Sequence, residues 1–187
     1  MKIQLFSVLF VLILVNFAHC QDHFSGLSAT PKIGYFNWHE DNGGWAGGID
    51  INYLRNNWNY SIGYMNLPEW GLFSTTPIEY YHEIRAVAGQ YADVGIFRFD
   101  YQLGGSLFSG LKRTTVNTNR KSIYDDYYNS EKFAVFGLAM KGGISFVLLP
   151  VMSLGLDFHL NINSKTLIYS PMISLEIGKL KNEPKEP

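Results

Sequence analysis

The chain has 187 residues, a formal net charge of −1 and 17% charged residues, while aromatic residues make up 16%. Soluble domains carry about 25% charged residues, so this composition is poor in the groups that cover a water-exposed surface. The balanced charge also excludes the basic footprint of a nucleic-acid-binding protein. The length is enough for one domain.

Residues 1–20 have the features of a signal peptide, with Lys2 followed by an apolar stretch that ends at Ala18. This stretch is shorter than the 18 or more apolar residues expected of a membrane-spanning helix. The single cysteine, Cys20, excludes an internal disulfide. It is either the last residue of the cleaved peptide or a lipid-modified first residue, and we favour cleavage before Gln21.

The clearest periodic pattern covers residues 152–162, where apolar residues alternate with small or polar ones without interruption. Successive side chains of a strand point to opposite faces, so this segment has one apolar and one polar face. Its length matches the roughly 9–11 residues with which a tilted strand crosses a bilayer. The pattern therefore indicates a strand of a membrane-spanning β-barrel.

Weaker versions of this pattern predict seven more strands, at residues 27–38, 44–54, 58–65, 80–89, 95–110, 133–149 and 167–180. Short connections near Asn56, Tyr91 and Pro150 alternate with longer ones, as in outer-membrane barrels with short periplasmic turns and long external loops. We therefore predict an all-β fold, an eight-stranded antiparallel up-and-down transmembrane β-barrel at residues 21–180. Residues 181–187 are expected to be a disordered periplasmic tail.

The polar face of the strands is rich in Gly, Ser, Ala and Asn, which suits the narrow lumen of eight strands. A soluble lipocalin-like barrel that binds a small apolar ligand has the same period with the apolar face inside, and it remains an alternative. In the membrane reading the lumen would hold a mixed network of charges that plugs it, unlike an open porin. The predicted members are Lys32, Asp50, Glu83, Arg85, Arg98, Asp100, Lys141, Asp157, His159 and Glu176.

Aromatic residues fall near the predicted strand ends, where Trp and Tyr favour the membrane–water interface. The expected belt residues are Trp38, Trp45, Tyr53, Trp58, Tyr64 and Trp70. The expected partners are therefore outer-membrane lipid and no nucleic acid. The long connection at residues 114–132, with Tyr124, Tyr127 and Tyr128, is the best candidate surface for an external ligand.

One polar face could carry chemistry, because Asp157 and His159 share it and a histidine oriented by a carboxylate can act as a general base. A lipid A-modifying hydrolase that uses His159 is therefore a second alternative. Barrel deacylases carry serine immediately ahead of asparagine shortly after the histidine, and this motif is absent here. We predict no enzyme, no catalytic residue, no cofactor and no metal site.

The signal peptide and the alternating strands resemble small outer-membrane β-barrel proteins of Gram-negative bacteria. The chain looks most like the group called outer membrane protein beta-barrel domain, and it is similar in size to the OmpX and OmpA barrels. Residues 171–180 are similar to the last strand of that group, although this strand passes through Leu180 into a charged tail where an aromatic residue is common. The resemblance implies a structural or surface-interaction role, location in the outer membrane, and recognition of the last strand by the barrel-assembly machinery.

Overall fold

The computed structural model describes residues 25–38, 42–70, 79–116 and 128–181. Within these ranges the chain forms eight strands, and each is antiparallel to its neighbours in sequence. The strands are β1 (Ser25–Trp38), β2 (Asn42–Arg55), β3 (Trp58–Pro68), β4 (Tyr80–Val94), β5 (Phe97–Val116), β6 (Tyr128–Leu149), β7 (Met152–Asn163) and β8 (Leu167–Gly178). β8 also pairs with β1, from Ser28 opposite Gly178 to Trp38 opposite Ile168, and this pairing closes the barrel.

The predicted eight-stranded up-and-down barrel is confirmed, and its strand at residues 152–162 is β7 with one more residue. Three tight turns and the first residue of β1 lie at one end of the barrel, which we call the turn end; the opposite end is the loop end. At the β2–β3 turn both Asn56 and Asn57 have positive φ, 48° and 67°. Positive φ at both central residues is typical of the type I′ turn, whose twist matches that of paired strands.

Burial alternates along the strands in the sense expected for a membrane barrel, with polar residues inside and apolar residues outside. Mid-strand residues such as Ile62 and Leu156 remain 67% and 68% exposed on the outer wall. Lysine and aspartate side chains such as Lys32 and Asp50 are buried in the interior. A lipocalin-like barrel requires the opposite arrangement, so this geometry disfavours the soluble alternative.

Several predicted boundaries at the turn end are wrong, and β5 begins at Phe97 rather than at residue 95. β4 does not end near residue 89 but runs to Val94, because the left-handed residue that makes the turn is Gly95, with φ of 64°. Tyr91, read as a turn residue, is a buried strand residue. β8 ends at Gly178, and Leu180, read as part of the strand, turns into the barrel and is fully buried.

At the loop end, the connection predicted at residues 111–132 is shorter, because β5 continues to Val116 and β6 begins at Tyr128. Its charged residues do not alternate with apolar ones, so strand periodicity was hidden there. Tyr124 and Tyr127, the expected signal peptide and the expected tail beyond Lys181 lie outside the described residues. Within the described ranges, no helix is long and apolar enough to cross a membrane.

Candidate functional site: the filled lumen and the external hairpin

Ten charged or titratable residues were expected in the lumen, and the structure places all ten at inward-facing strand positions. They do not form one network. The contacts divide them into a central cluster, a pair towards the loop end, and separate groups towards the turn end. Some partners lie on adjacent strands, and others meet across the lumen from strands that are not neighbours.

The central cluster is built around Asp50 on β2. Its Oδ2 lies 2.5 Å from Nζ of Lys32 and 3.4 Å from Nζ of Lys141, and its Oδ1 lies 2.5 Å from Nη2 of Arg85. Lys32 Nζ also lies 2.8 Å from Oδ2 of Asp157. One aspartate therefore binds three cations from three other strands, and it is fully buried.

Lys141 extends this cluster to one more carboxylate, that of Asp100, and its Nζ lies 3.9 Å from Asp100 Oδ2 and from Asp157 Oδ2. The cluster then contains the cations Lys32, Arg85 and Lys141 and the anions Asp50, Asp100 and Asp157, so its formal charges balance. Burial of charge is costly unless the charges are paired. The balance explains how these strands tolerate so many charges in one cross-section.

Towards the loop end, His159 Nε2 lies 2.9 Å from Glu83 Oε2, and both side chains are buried. Near this pair, also towards the loop end, Asn161 Nδ2 donates to Ser106 Oγ at 2.7 Å. Among the described residues His159 forms no ion pair with Arg85, Arg98 or Lys141, with which it was expected to share one network. The described partner of His159 is Glu83.

Towards the turn end, Arg98 forms two hydrogen bonds with Asp93, from Nε at 2.7 Å and from Nη2 at 3.1 Å. Its guanidinium also lies 4.5 Å from the ring centroid of Tyr91, a cation–π contact. Asp93 was missed because the sequence interpretation ended β4 too early. Its spacing of ten residues from Glu83 on the same strand face was the signal that could have found it.

Glu176 makes no ion pair among the described residues and is held by hydroxyl and amide groups. Ser28 Oγ donates to its Oε1 at 2.5 Å and Ser153 Oγ to its Oε2 at 3.3 Å. Asn52 Nδ2 donates to Thr30 Oγ1 at 2.7 Å, beside this group. Small polar residues thus fill the lumen between the charges and hydrogen-bond to them.

Apolar residues close the lumen above and below the charges. A cluster at the loop end is buried inside the barrel and contains Phe36, Ala46, Met65, Leu67, Tyr81, Phe108, Ile168 and Met172. A smaller cluster at the turn end contains Leu54, Tyr91, Val147 and Leu180. Apolar residues had been expected on the lipid face alone, so these plugs were missed. The described interior is filled along the barrel axis.

A group that we call the loop-end clamp joins the start of β4 to β5. The Arg113 guanidinium contacts the Glu69 carboxylate, and its Nε lies 3.6 Å from Glu79 Oε1. The Arg113 backbone N–H donates to Glu79 Oε1 and the Tyr81 hydroxyl to Glu79 Oε2, both at 2.7 Å. The clamp covers the edge of β5 just beyond Leu111, the last residue paired with β4.

β5 and β6 extend past their neighbours at the loop end. β6 pairs with β7 only from Gly137 onwards, while β5 and β6 pair with each other up to Val116 and Tyr128. We call residues 112–116 and 128–136 the external hairpin. Its β5 edge carries the clamp, whereas its β6 edge has no strand neighbour among the described residues.

The backbone groups on the open β6 edge belong to alternate residues. Val147 donates its backbone N–H to Ile96 O at 2.8 Å, so odd-numbered residues of β6 face β5 and even-numbered residues face the other side. On the hairpin these include Lys132, Ala134 and Phe136, whose side chains are also exposed. Phe136 is 84% exposed, the highest value among the large apolar side chains described.

Five of the six expected belt aromatics are exposed on the outer wall: Trp45, Tyr53, Trp58, Tyr64 and Trp70. The side chain of Trp38 lies outside the described part of the chain. Trp45 and Trp70 stack with ring centroids 4.9 Å apart near the loop end. Tyr53 and Trp58 flank the Asn56–Asn57 turn at the opposite end.

No group of three or more His, Cys, Asp or Glu side chains suited to a metal ion occurs in the described ranges.

No family model matches the chain, and no curated protein matches it. Comparisons with solved structures do find similar folds.

Neisserial surface protein A superposes with a TM-score of 0.60 and 13% identity, covering 82% of this chain and 96% of that one. The N-terminal β-barrel domain of Pseudomonas aeruginosa OprF gives 0.58 and 8%, covering 84% and 99%. Ail, the attachment invasion locus protein of Yersinia pestis, in complex with the heparin analogue sucrose octasulfate, gives 0.57 and 12%, with the same coverages of 84% and 99%. The fold of this chain is therefore that of the small eight-stranded outer-membrane β-barrels.

Proposed function

We propose that the chain is an integral outer-membrane protein with a closed polar lumen and a structural or surface-interaction role. The observation that carries the membrane location is the inverted arrangement of the barrel, with apolar side chains covering the outer wall and charges paired inside. In this location membrane lipid is the principal partner, and the barrel-assembly machinery acts during biogenesis. The turn end then faces the periplasm and the loop end the exterior.

The filled interior is evidence that the barrel is closed and does not act as an open porin. The central ion-pair cluster crosses the lumen, and an apolar cluster lies on each side of it. Eight strands leave just enough room for interior side chains. With a conducting role set aside, the proposed functions are structural or surface-contact roles. These depend on the outer wall and the loop end.

The external hairpin supports a surface-contact role. It projects past the neighbouring strands, and its open β6 edge offers backbone groups that have no strand partner among the described residues, beside the exposed Phe136. An exposed strand edge binds an extended polypeptide by adding it as a further strand. The exposed Lys132 next to it supplies a cationic contact, while the Glu131 carboxylate pairs with Lys165 at 2.9 Å.

A single substitution tests this role. Ala134→Pro removes a backbone N–H from the open edge, where proline is tolerated, while Ala134→Thr keeps the donor and favours a strand. Proteoliposomes of each variant are tested for binding to reduced, alkylated serum albumin, a probe that offers extended segments. We expect the proline variant to bind several-fold less than the threonine variant. Equal binding by the two variants would contradict a role of the open β6 edge in binding.

The hydrolase alternative loses support from the position of its histidine. His159 and its partner Glu83 are buried, and so is Ser170, which lies opposite His159 on β8. A carboxylate, a histidine and a serine thus lie on adjacent inward positions, but an outer-membrane lipid outside the wall does not reach them. We therefore propose that the protein is not a lipid-modifying enzyme.

A further inference from the structure

The residues that follow β8 turn into the barrel. Gly178 has φ of 150°, and a Cβ there would lie 2.3 Å from the Leu27 carbonyl oxygen, so a side chain does not fit this bend. Two residues later Leu180 is fully buried with Leu54, Tyr91 and Val147. The chain therefore covers the turn end with one of its own apolar side chains.

Backbone hydrogen bonds fix this segment to the β6–β7 turn. Gly178 N–H donates to Val151 O at 2.9 Å, and the Leu180 and Lys181 N–H groups donate to Pro150 O at 2.8 and 3.2 Å. Both ends of the segment are thus attached to the β6–β7 turn at the turn end of the barrel.

Side chains and the closing seam supply further attachments. Lys179 N–H donates to Leu27 O on β1 at 3.0 Å, and Lys181 Nζ donates to Gly95 O in the β4–β5 turn at 3.1 Å. From inside the barrel, Arg98 Nη2 donates to Leu180 O at 2.9 Å. The segment therefore joins the first strand to the β4–β5 and β6–β7 turns across the mouth of the barrel.

A small polar chamber lies inside this mouth. Its volume is about 20 Å³, and its lining includes Arg98, Asp100, Ser153 and Glu176. That volume is room for about one water molecule. Arg98 both lines the chamber and binds the Leu180 carbonyl, so the segment and the chamber share a wall.

We propose that residues 178–181 form a C-terminal stopper that seals the polar chamber from the turn end of the barrel. Displacement of the stopper opens the lower lumen to small solutes, while the central ion-pair cluster still separates it from the loop end. The stopper also accounts for the apolar residue found after the last strand, because Leu180, two residues beyond Gly178, plugs the interior. The inference is independent of the external hairpin.

Cysteine accessibility tests the stopper. In a Cys20→Ser background, Ser153→Cys places a thiol on the chamber wall, at a position that is 1% exposed. A membrane-impermeant methanethiosulfonate is added to folded protein in detergent micelles, with heat-modifiable gel mobility as the check on folding. We expect slow modification in the full chain and in a chain ending at Lys181. In a chain ending at Gly178, modification should be at least about tenfold faster.

A second pair of variants applies if the shorter chain does not fold. Leu180→Ser removes the plug in the full chain, whereas Leu154→Ser makes the same change on the outer wall. Leu180→Ser should accelerate modification and Leu154→Ser should not. Fast modification of the full chain that carries only Cys20→Ser and Ser153→Cys, or no acceleration in a folded variant lacking the plug, would overturn the proposal.

Discussion

Arg85 on β4 binds Asp50 on β2 across the intervening strand β3, with 2.5 Å between Nη2 and Oδ1. The residue of β3 that lies between them is Gly63, which pairs with Asp50 on one side and Arg85 on the other. The absence of a side chain at this position is what allows the two charged groups to meet. The central cluster therefore depends on a glycine as well as on its charges.

Gly63→Ala is expected to destabilise the barrel. The added Cβ would lie 2.1 Å from Asp50 Oδ1 and 3.0 Å from Arg85 Nε. Overpacking of this kind costs about 1–3 kcal/mol, measured as the free energy of unfolding in urea in lipid vesicles. Gly105→Ala is the control, because no atom lies within 4 Å of its Cβ position. Equal stability of the two variants would mean that Asp50 and Arg85 do not meet across Gly63.

Asp50→Asn is expected to be more damaging than any change to a surface ion pair. The substitution leaves Lys32, Arg85 and Lys141 without their shared carboxylate, and an uncompensated buried charge costs about 3–5 kcal/mol. Glu131→Gln breaks the exposed pair with Lys165, whose side chains are 49% and 41% exposed, and should cost no more than about 1 kcal/mol. The same unfolding measurement compares them. A loss below about 1 kcal/mol for Asp50→Asn contradicts a desolvated central cluster.

Reconstitution into planar lipid bilayers should give no large, steady conductance. The ion pairs around Asp50 and the apolar clusters containing Phe36 and Leu54 fill the lumen along its axis. An ion has no continuous hydrated path through such an interior. A stable ohmic channel formed by the unaltered chain would show that the lumen opens in a membrane.

His159→Ala should change stability and leave lipid chemistry unchanged. The substitution leaves the buried Glu83 carboxylate without its 2.9 Å partner, and an unsatisfied buried group costs about 1–3 kcal/mol. Lipid A profiles of cells producing the unaltered chain and the variant, compared by mass spectrometry, should be identical. A deacylated species made only by cells with the unaltered chain would restore the hydrolase alternative.

The architecture was readable in the sequence because a lipid-facing strand imposes a period of two. Residues 152–162 carry that period without a fault, and the structure has a strand there with the same facing of residues. Periodicity fails where β5 and β6 extend past their neighbouring strands. The charged residues Lys112 and Glu131 continue these strands without an alternating pattern, so the sequence predicts a loop where the structure has the external hairpin.

The sequence pattern indicates which residues face the lumen, but it does not indicate which of them contact each other. Strand facing indicates that Arg98 and His159 point inward, but it does not indicate their partners. The partner of Arg98 lies on the adjacent strand β4, whereas His159 on β7 meets Glu83 on β4 across the lumen. The residue between two strands also matters, as at Gly63, and a sequence pattern does not show it. The inward turn of Leu180 was hidden because its apolar character fits a lipid-facing strand equally well.

Membrane location is the central claim, and cell fractionation with heat-modifiable gel mobility tests it most directly. The chain should be found in the outer-membrane fraction and should migrate differently before and after boiling, because a folded barrel with paired interior charges resists detergent at low temperature. The structure predicts the same shift for protein refolded into detergent micelles from urea. Recovery of the protein in the soluble periplasmic fraction, with no boiling-dependent shift, would contradict the account.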